Sequence, residues 1–99
     1  MEKLKNHYSL AEIQAQMTSV PAMNLTVSAR NGIRQAGMAQ TDALAVVKKL
    51  GRGEFYKSMT THAGHHDWQD VYHSEWNGIM LYIKLQRDGS YFVVSFKEL

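Results

Sequence analysis

Two periodicities divide this chain. Up to Leu50 the apolar residues recur at helical spacing, and from Glu54 onward they alternate with polar ones. A change of period from 3.6 to two marks a switch from helix to strand. Ser9-Leu10-Ala11-Glu12 has the form of a capping box, in which serine and glutamate satisfy each other's backbone amides. Leu10, Ile13 and Met17 follow on one helical face, and Pro21 marks the stop. A second helix is predicted from about Ser28 to Ala36, closed by Gly37. A third, capped by Thr41, runs through Ala43, Leu44, Val46, Val47 and Leu50. Lys48 and Lys49 sit in its last turn, where cations suit the helix dipole, and Gly51 ends it. Beyond Glu54, β-branched and aromatic residues predict strands near 54–60, 68–73, 79–87 and 90–97. His62 to Asp67 form a loop between the first two, and Asn77-Gly78 a turn before the third. The fold class is therefore α+β, with N-terminal helices packed on a C-terminal antiparallel β-sheet, in a single domain over residues 1–99.

The final hairpin can be read residue by residue. Asp88-Gly89 is a dipeptide favoured in two-residue type I′ turns. Folding there pairs Leu85 with Phe92, Ile83 with Val94 and Leu81 with Phe96 on one face. The other face carries Met80 opposite Lys97, Tyr82 opposite Ser95, Lys84 opposite Val93 and Gln86 opposite Tyr91. A slip of one residue would scramble this separation. One face is core, and the other is cationic, hydroxylated and aromatic.

Composition narrows the chemistry. An apolar content of 44% is that of a globular protein. Cysteine is absent, which excludes disulfides, thiolate catalysis and cysteine-based zinc sites. A net charge of +2 with histidine neutral, and a pI near 9.0, permit a polyanionic partner without demanding one. The N-terminal residues lack the apolar stretch of a secretory signal, and no run approaches a membrane span, so a cytoplasmic protein without membrane association is expected.

RNA carries its own nucleophile, the 2′-OH, beside each phosphate. It can be cleaved without metal or other cofactor if a base takes the 2′-OH proton, cations stabilise the phosphorane and an acid protonates the departing oxygen. The hairpin register places Tyr82, Lys84 and Lys97 on one non-core face, with Tyr91 at its end. Lys57 and Gln69 lie on the two preceding strands, and spacing leaves open which face they present. His73, after Tyr72 at the end of a strand, is a further catalytic or RNA-binding candidate. An ordinary solvated sheet face is the alternative reading of all these residues. His62, His65 and His66 share one loop, but no H-E-x-x-H pattern accompanies them and a loop is a poor template for tetrahedral ligation, so no metal site is predicted. Trp68 and Tyr72 suit core packing better than base stacking, and Trp76 beside the Asn77-Gly78 turn is the better exposed aromatic. Gly51-Arg52-Gly53 is a helix stop, too short for a phosphate loop. Lys3 and Lys5 read as a solvated terminus.

The tracts Phe55-Tyr56-Lys57-Ser58-Met59-Thr60-Thr61, Trp68-Gln69-Asp70-Val71-Tyr72, Leu81-Tyr82-Ile83-Lys84 and Val94-Ser95-Phe96-Lys97-Glu98 resemble those of the MqsR toxins. These are motility quorum-sensing regulators of RelE-like fold that act as mRNA interferases in toxin–antitoxin pairs. The resemblance covers roughly Glu54 to Glu98, and the helical half is similar in length and layout alone. It implies a ribosome-independent endoribonuclease that cuts mRNA at short GC-containing sites, typically GCU. It also implies inhibition by an MqsA-type antitoxin with a zinc-binding N-terminal domain and a helix-turn-helix domain, through which DNA is reached only indirectly. The family's functional Lys, Gln, Tyr and terminal-strand Lys fall on Lys57, Gln69, Tyr82 and Lys97. The resemblance gives the two lysines phosphate binding, Tyr82 proton transfer or base stacking, and Gln69 orientation of the phosphate or a base edge. His73-Ser74-Glu75 departs from the basic residues expected there. A catalytically inactive RNA- or protein-binding module that keeps the fold is the alternative.

Overall fold

The alternating pattern after Glu54 folds into a meander in which every strand pairs antiparallel with its neighbour. The computed structural model describes residues 2–61 and 67–99. In chain order the elements are β1 (Glu2–Lys3), α1 (Leu10–Gln16), α2 (Val27–Gln35), α3 (Gln40–Lys49), β2 (Phe55–Thr60), β3 (Trp68–Trp76), β4 (Ile79–Asp88) and β5 (Tyr91–Glu98). The strands form one sheet in the order β1-β2-β3-β4-β5. The α+β class stands, but β1 has no counterpart in the sequence reading. Lys3, expected in a solvated terminus, pairs with Ser58 of β2, and Glu2 pairs with Met59.

Local chemistry explains most boundaries and two corrections. Ser9 caps α1 by accepting from Glu12 N at 3.2 Å, and Thr26 caps α2 by accepting from Ala29 N at 3.0 Å. The cap position of α3 is Ala39 rather than Thr41, because Asp42 reaches back to accept from Ala39 N at 2.9 Å. Asn77 and Gly78 both have positive φ, as a type I′ turn requires, and set Trp76 opposite Ile79. The last hairpin differs. Its loop is Gly89-Ser90, with Asp88 paired to Tyr91, and Gly89 alone of the two has positive φ. A type II′ turn asks for positive φ only at its first central position, which glycine fills without strain. Every pair is therefore two residues from the expected register: Leu85 faces Val94, Ile83 faces Phe96 and Tyr82 faces Lys97. A slip of two keeps each side chain on its face, so the separation of core from open face survives while the partners change.

The helices cover one face of the sheet. Ile13 of α1, Ala29 and Ile33 of α2 and Ala43, Val46 and Val47 of α3 pack on Tyr72, Leu81, Ile83, Leu85, Phe92, Val94 and Phe96. Tyr72 is 2% exposed, and burial with the nearby Asp70 charge pushes its hydroxyl up to about 12. Trp68 is covered as well, since the His7 ring stacks on it at 5.2 Å and Lys3 Nζ lies 4.1 Å from its centroid. Neither ring is a free platform for a base. Beneath them Asp70, fully buried, accepts from Ser58 Oγ at 2.7 Å, His7 N at 2.9 Å and Tyr8 N at 2.8 Å. One carboxylate thus fastens the N-terminal segment to the centre of the sheet.

The outer edge of β5 is closed by side chains and by α2. Gln16 acts as a surrogate strand, accepting from Phe92 N at 2.8 Å and donating to Phe92 O at 3.0 Å. Further along, α2 approaches so closely that a Cβ at Gly32 would collide with the backbone oxygen of Phe96. Helix propensity favours Gly32→Ala by about 1 kcal/mol, whereas overpacking costs about 1–3 kcal/mol. The clash is against backbone, so we expect a net loss of about 1–2 kcal/mol in urea unfolding. Stability at or above wild type would show that α2 can withdraw from β5.

Candidate active site on the open sheet face

Strand alternation sends half of the sheet's side chains away from the helices, and the register arranges them in rows. One row is His73, Tyr82 and Lys97; the next is Lys57, Val71, Lys84 and Ser95; the third is Met59, Gln69, Gln86 and Val93. Lys57 reaches this face because of a bulge. Phe55 pairs with Tyr72 on the core side, yet Lys57 pairs with Val71 on the open side, and the register shift lies between them. A regular strand would give residues 55 and 57 the same face. An extra residue re-aims the side chains beyond it, so Tyr56 and Lys57 both join the open face. That settles the question spacing left open: Lys57, Gln69, Tyr82, Lys84 and Lys97 share one surface.

Each side chain has a defined setting. Lys57 Nζ donates to Glu2 Oε2 at 2.6 Å, and this pairing raises the lysine and lowers the glutamate from their ordinary values. Lys57 is therefore held as a cation and is no candidate for a neutral base. Lys97 Nζ lies 4.7 Å from the centroid of the Tyr82 ring, directly across the strands. Gln69 Nε2 donates to Gln86 Oε1 at 2.9 Å. Val71, fully buried on this face, lies between Lys57 and Lys84, whose aliphatic stems can cover it while their charges stay in water. Tyr91, 45% exposed, stands at the far end of the same face.

His73 is not at a strand end. It lies within β3, stacked on Tyr56 at 4.2 Å and tilted against Tyr82 at 5.6 Å. Its Nε2 is buried and has no hydrogen-bond partner among the described residues, so that nitrogen is closed to a substrate as the ring stands. The half-buried histidine lies on the open face with its ring packed between Tyr56 and Tyr82. Sequence reasoning also missed Glu2, Tyr56 and the pairing of Gln86. The bulge hid Tyr56, and Glu2 carries no local signal. Gln86 was placed on the correct face without its cross-strand partner.

Two comparisons bear on this face. The family described as motility quorum-sensing regulator, toxin of MqsA, matches residues 5–98. The chain belongs to the MqsR toxin family. The mRNA interferase toxin MqsR of Escherichia coli (strain K12) is 32% identical over 98 residues, which is 99% of each chain. The MqsR match takes in the helical half as well as the strands that carry the sequence tracts. Among the described residues no helix is long and apolar enough to cross a membrane, and no group of three His, Cys, Asp or Glu is placed to hold a metal ion. His62, His65 and His66 lie outside the described residues.

Proposed function

We propose that this MqsR-family chain is an mRNA interferase, a ribosome-independent endoribonuclease that cuts single-stranded message by metal-free transesterification. The observation that carries the reading is the gathering of Lys57, Lys84 and Lys97 with Tyr82 and Gln69 on one open face. In the reaction the 2′-oxygen attacks phosphorus and the bond to the 5′-oxygen breaks, giving a 2′,3′-cyclic phosphate and a 5′-hydroxyl. The proton of the 2′-OH passes to a base, and the leaving oxygen takes up a proton. Lys57 and Lys97 hold the phosphate and offset the charge of the phosphorane, which is electrostatic stabilisation by groups already in place. The Tyr82 hydroxyl, between them on the strand order, is the proton-transfer group, and Gln69 orients the RNA. Lys84 and Tyr91 extend the binding surface. His73 keeps Tyr82 in place.

The same reading gives the protein short GC-containing cleavage sites such as GCU, action in the cytoplasm and neutralisation by an MqsA-type antitoxin. That antitoxin would carry the zinc-binding and helix-turn-helix parts and would be the route to DNA. The test is incubation of purified protein, with EDTA present, against a long unstructured RNA, with cut positions mapped by primer extension. Cuts recurring at one short motif support the proposal. No cuts from a folded protein would leave a non-catalytic RNA- or protein-binding module.

Glu2 has a place in this scheme. It neutralises Lys57 at the edge of the phosphate surface, so Glu2→Gln should free the cation and let the Lys57 value fall back toward the ordinary one. Because an exposed ion pair is weak and screened by salt, the expected gain is modest, up to about fivefold in affinity for an RNA blocked at the scissile 2′ position. Weaker binding by the variant would show that Glu2 instead positions Lys57.

A further inference from the structure

Gln69 and Gln86 face each other across β3 and β4, joined by the bond from Gln69 Nε2 to Gln86 Oε1. Two primary amides linked head to tail by one hydrogen bond keep a carbonyl oxygen on one and an amino group on the other for further use. Here those are Gln69 Oε1 and Gln86 Nε2. The couple lines a recess of about 160 Å³, with Lys84 and Ser95 on the sheet side and Thr26 and Ser28 at the start of α2 opposite. A wider groove of about 500 Å³, with Arg30 and Tyr91 in its wall, shares Val93 with the recess and continues the open face. Both glutamines are half-buried, so the amide couple is held in the wall of the recess rather than waving in solvent.

The geometry points to a nucleobase subsite: the recess takes one unpaired base of single-stranded RNA, read edge-on by Gln69 and Gln86, and guanine fits best. Unstacked bases in single strands expose their Watson–Crick and Hoogsteen edges to such contacts. Guanine presents N7 and O6 as acceptors and N1–H as a donor along one continuous edge. Gln86 Nε2 would donate to O6, Gln69 Oε1 would accept from N1–H, and Lys84 would supply a cationic donor for N7, since lysine suits guanine's acceptors. Adenine inverts the first two, setting its N6 amino group against Gln86 Nε2 and its N1 lone pair against Gln69 Oε1. The recess begins one row from the Tyr82–Lys97 pair, at Lys84 and Ser95, about 7 Å along the strands. The base it holds therefore lies within two nucleotides of a phosphate bound at that pair. This subsite rests on the nuclease reading and adds Gln86 to it as the residue that sets specificity.

The test uses short single-stranded RNAs that carry the mapped cleavage motif and differ by guanine or adenine at each motif position in turn. Cleavage rates are compared for wild type, Gln86→Leu and Gln86→Glu, with thermal melts to confirm folding. At one position wild type should prefer guanine by about 5- to 150-fold, the range of one bidentate base contact. In Gln86→Leu that ratio should fall toward one. Gln86→Glu still accepts from Gln69, and so keeps the pair, but offers the base an acceptor where Nε2 was a donor. Its ratio should shift toward adenine even though the added negative charge slows cutting of both RNAs, a change that a merely structural glutamine would not produce. If the leucine variant fails to fold, the glutamate variant decides alone. A wild-type ratio kept in a folded variant overturns the subsite while leaving the nuclease standing. No cutting by wild type overturns the nuclease reading and the subsite with it.

Discussion

Lys97→Ala is expected to slow RNA cleavage by about 10²–10³-fold, the usual effect of removing one positioned group that stabilises transition-state charge. The side chain is exposed near the end of β5, and its described contact is with the face of Tyr82, 4.7 Å away. Losing that contact costs about 0.5–1 kcal/mol of stability, so a folded variant with normal secondary structure is expected. Exposed cations that merely draw RNA to the surface behave differently, each contributing a small, salt-sensitive share of affinity. Lys48→Ala, on the exposed side of α3, is the matched control and should change the rate little. Single-turnover rates at saturating RNA separate the two roles. A Lys97→Ala rate within about threefold of wild type would remove Lys97 from the catalytic set, since a charge-stabilising group is worth far more.

Asp70→Ala should produce the largest loss of stability. The carboxylate is fully buried and accepts from the Ser58 hydroxyl and from the amides of His7 and Tyr8. Hydrogen bonds to a charged group are worth about 1.5–3 kcal/mol each, and a buried donor left unpaired carries its own desolvation penalty. These terms do not add in full, because the segment around His7 can lift away and return its amides to water. We expect a loss of about 3 kcal/mol, seen as a fall in Tm of about 12–24 °C for a domain of this size. Asp70→Asn keeps the shape but turns an NH2 toward one of the donors, so it should recover little. Chemical unfolding of both variants against wild type measures the effect. A loss below about 1 kcal/mol would mean that the bonds to Asp70 are replaced by water at little cost. The consequence for function is direct, since Ser58 and Asp70 adjoin Lys57 and Gln69 in sequence on the strands that present them.

What was legible in the sequence was whatever depends on neighbours along the chain. Periodicity separated the helical half from the sheet, Ser9 marked α1, and Asn77-Gly78 marked the turn between β3 and β4. The alternation in β4 and β5 put Tyr82, Lys84 and Lys97 opposite the core, and this survived an error of two residues in register because side chains repeat every second residue. What the error did change was who meets whom. The contact of Lys97 with Tyr82 comes from a tight turn at Gly89-Ser90 rather than at Asp88-Gly89, a type II′ turn that needs positive φ at Gly89 alone and spares Asp88 the angle a type I′ turn would impose on it.

The remaining features needed the folded chain. β1 exists because residues 2 and 3 find the edge of β2 more than fifty positions later, and no local pattern in so short a strand can announce that. The same long-range pairing brings Glu2 to Lys57 and fixes the lysine's charge. The bulge at Tyr56 turns Lys57 to the open face; strict alternation counted from Phe55 would have buried it. Gln69 and Gln86 meet because two strands align, and their recess has a far wall because α2 begins beside β5. Alternation along the chain was enough to say which residues could stand on the open face of the hairpin. Which of them stand together was left to the folded molecule, because strand register, a single inserted residue and contacts between distant segments set distances that spacing along the chain does not contain.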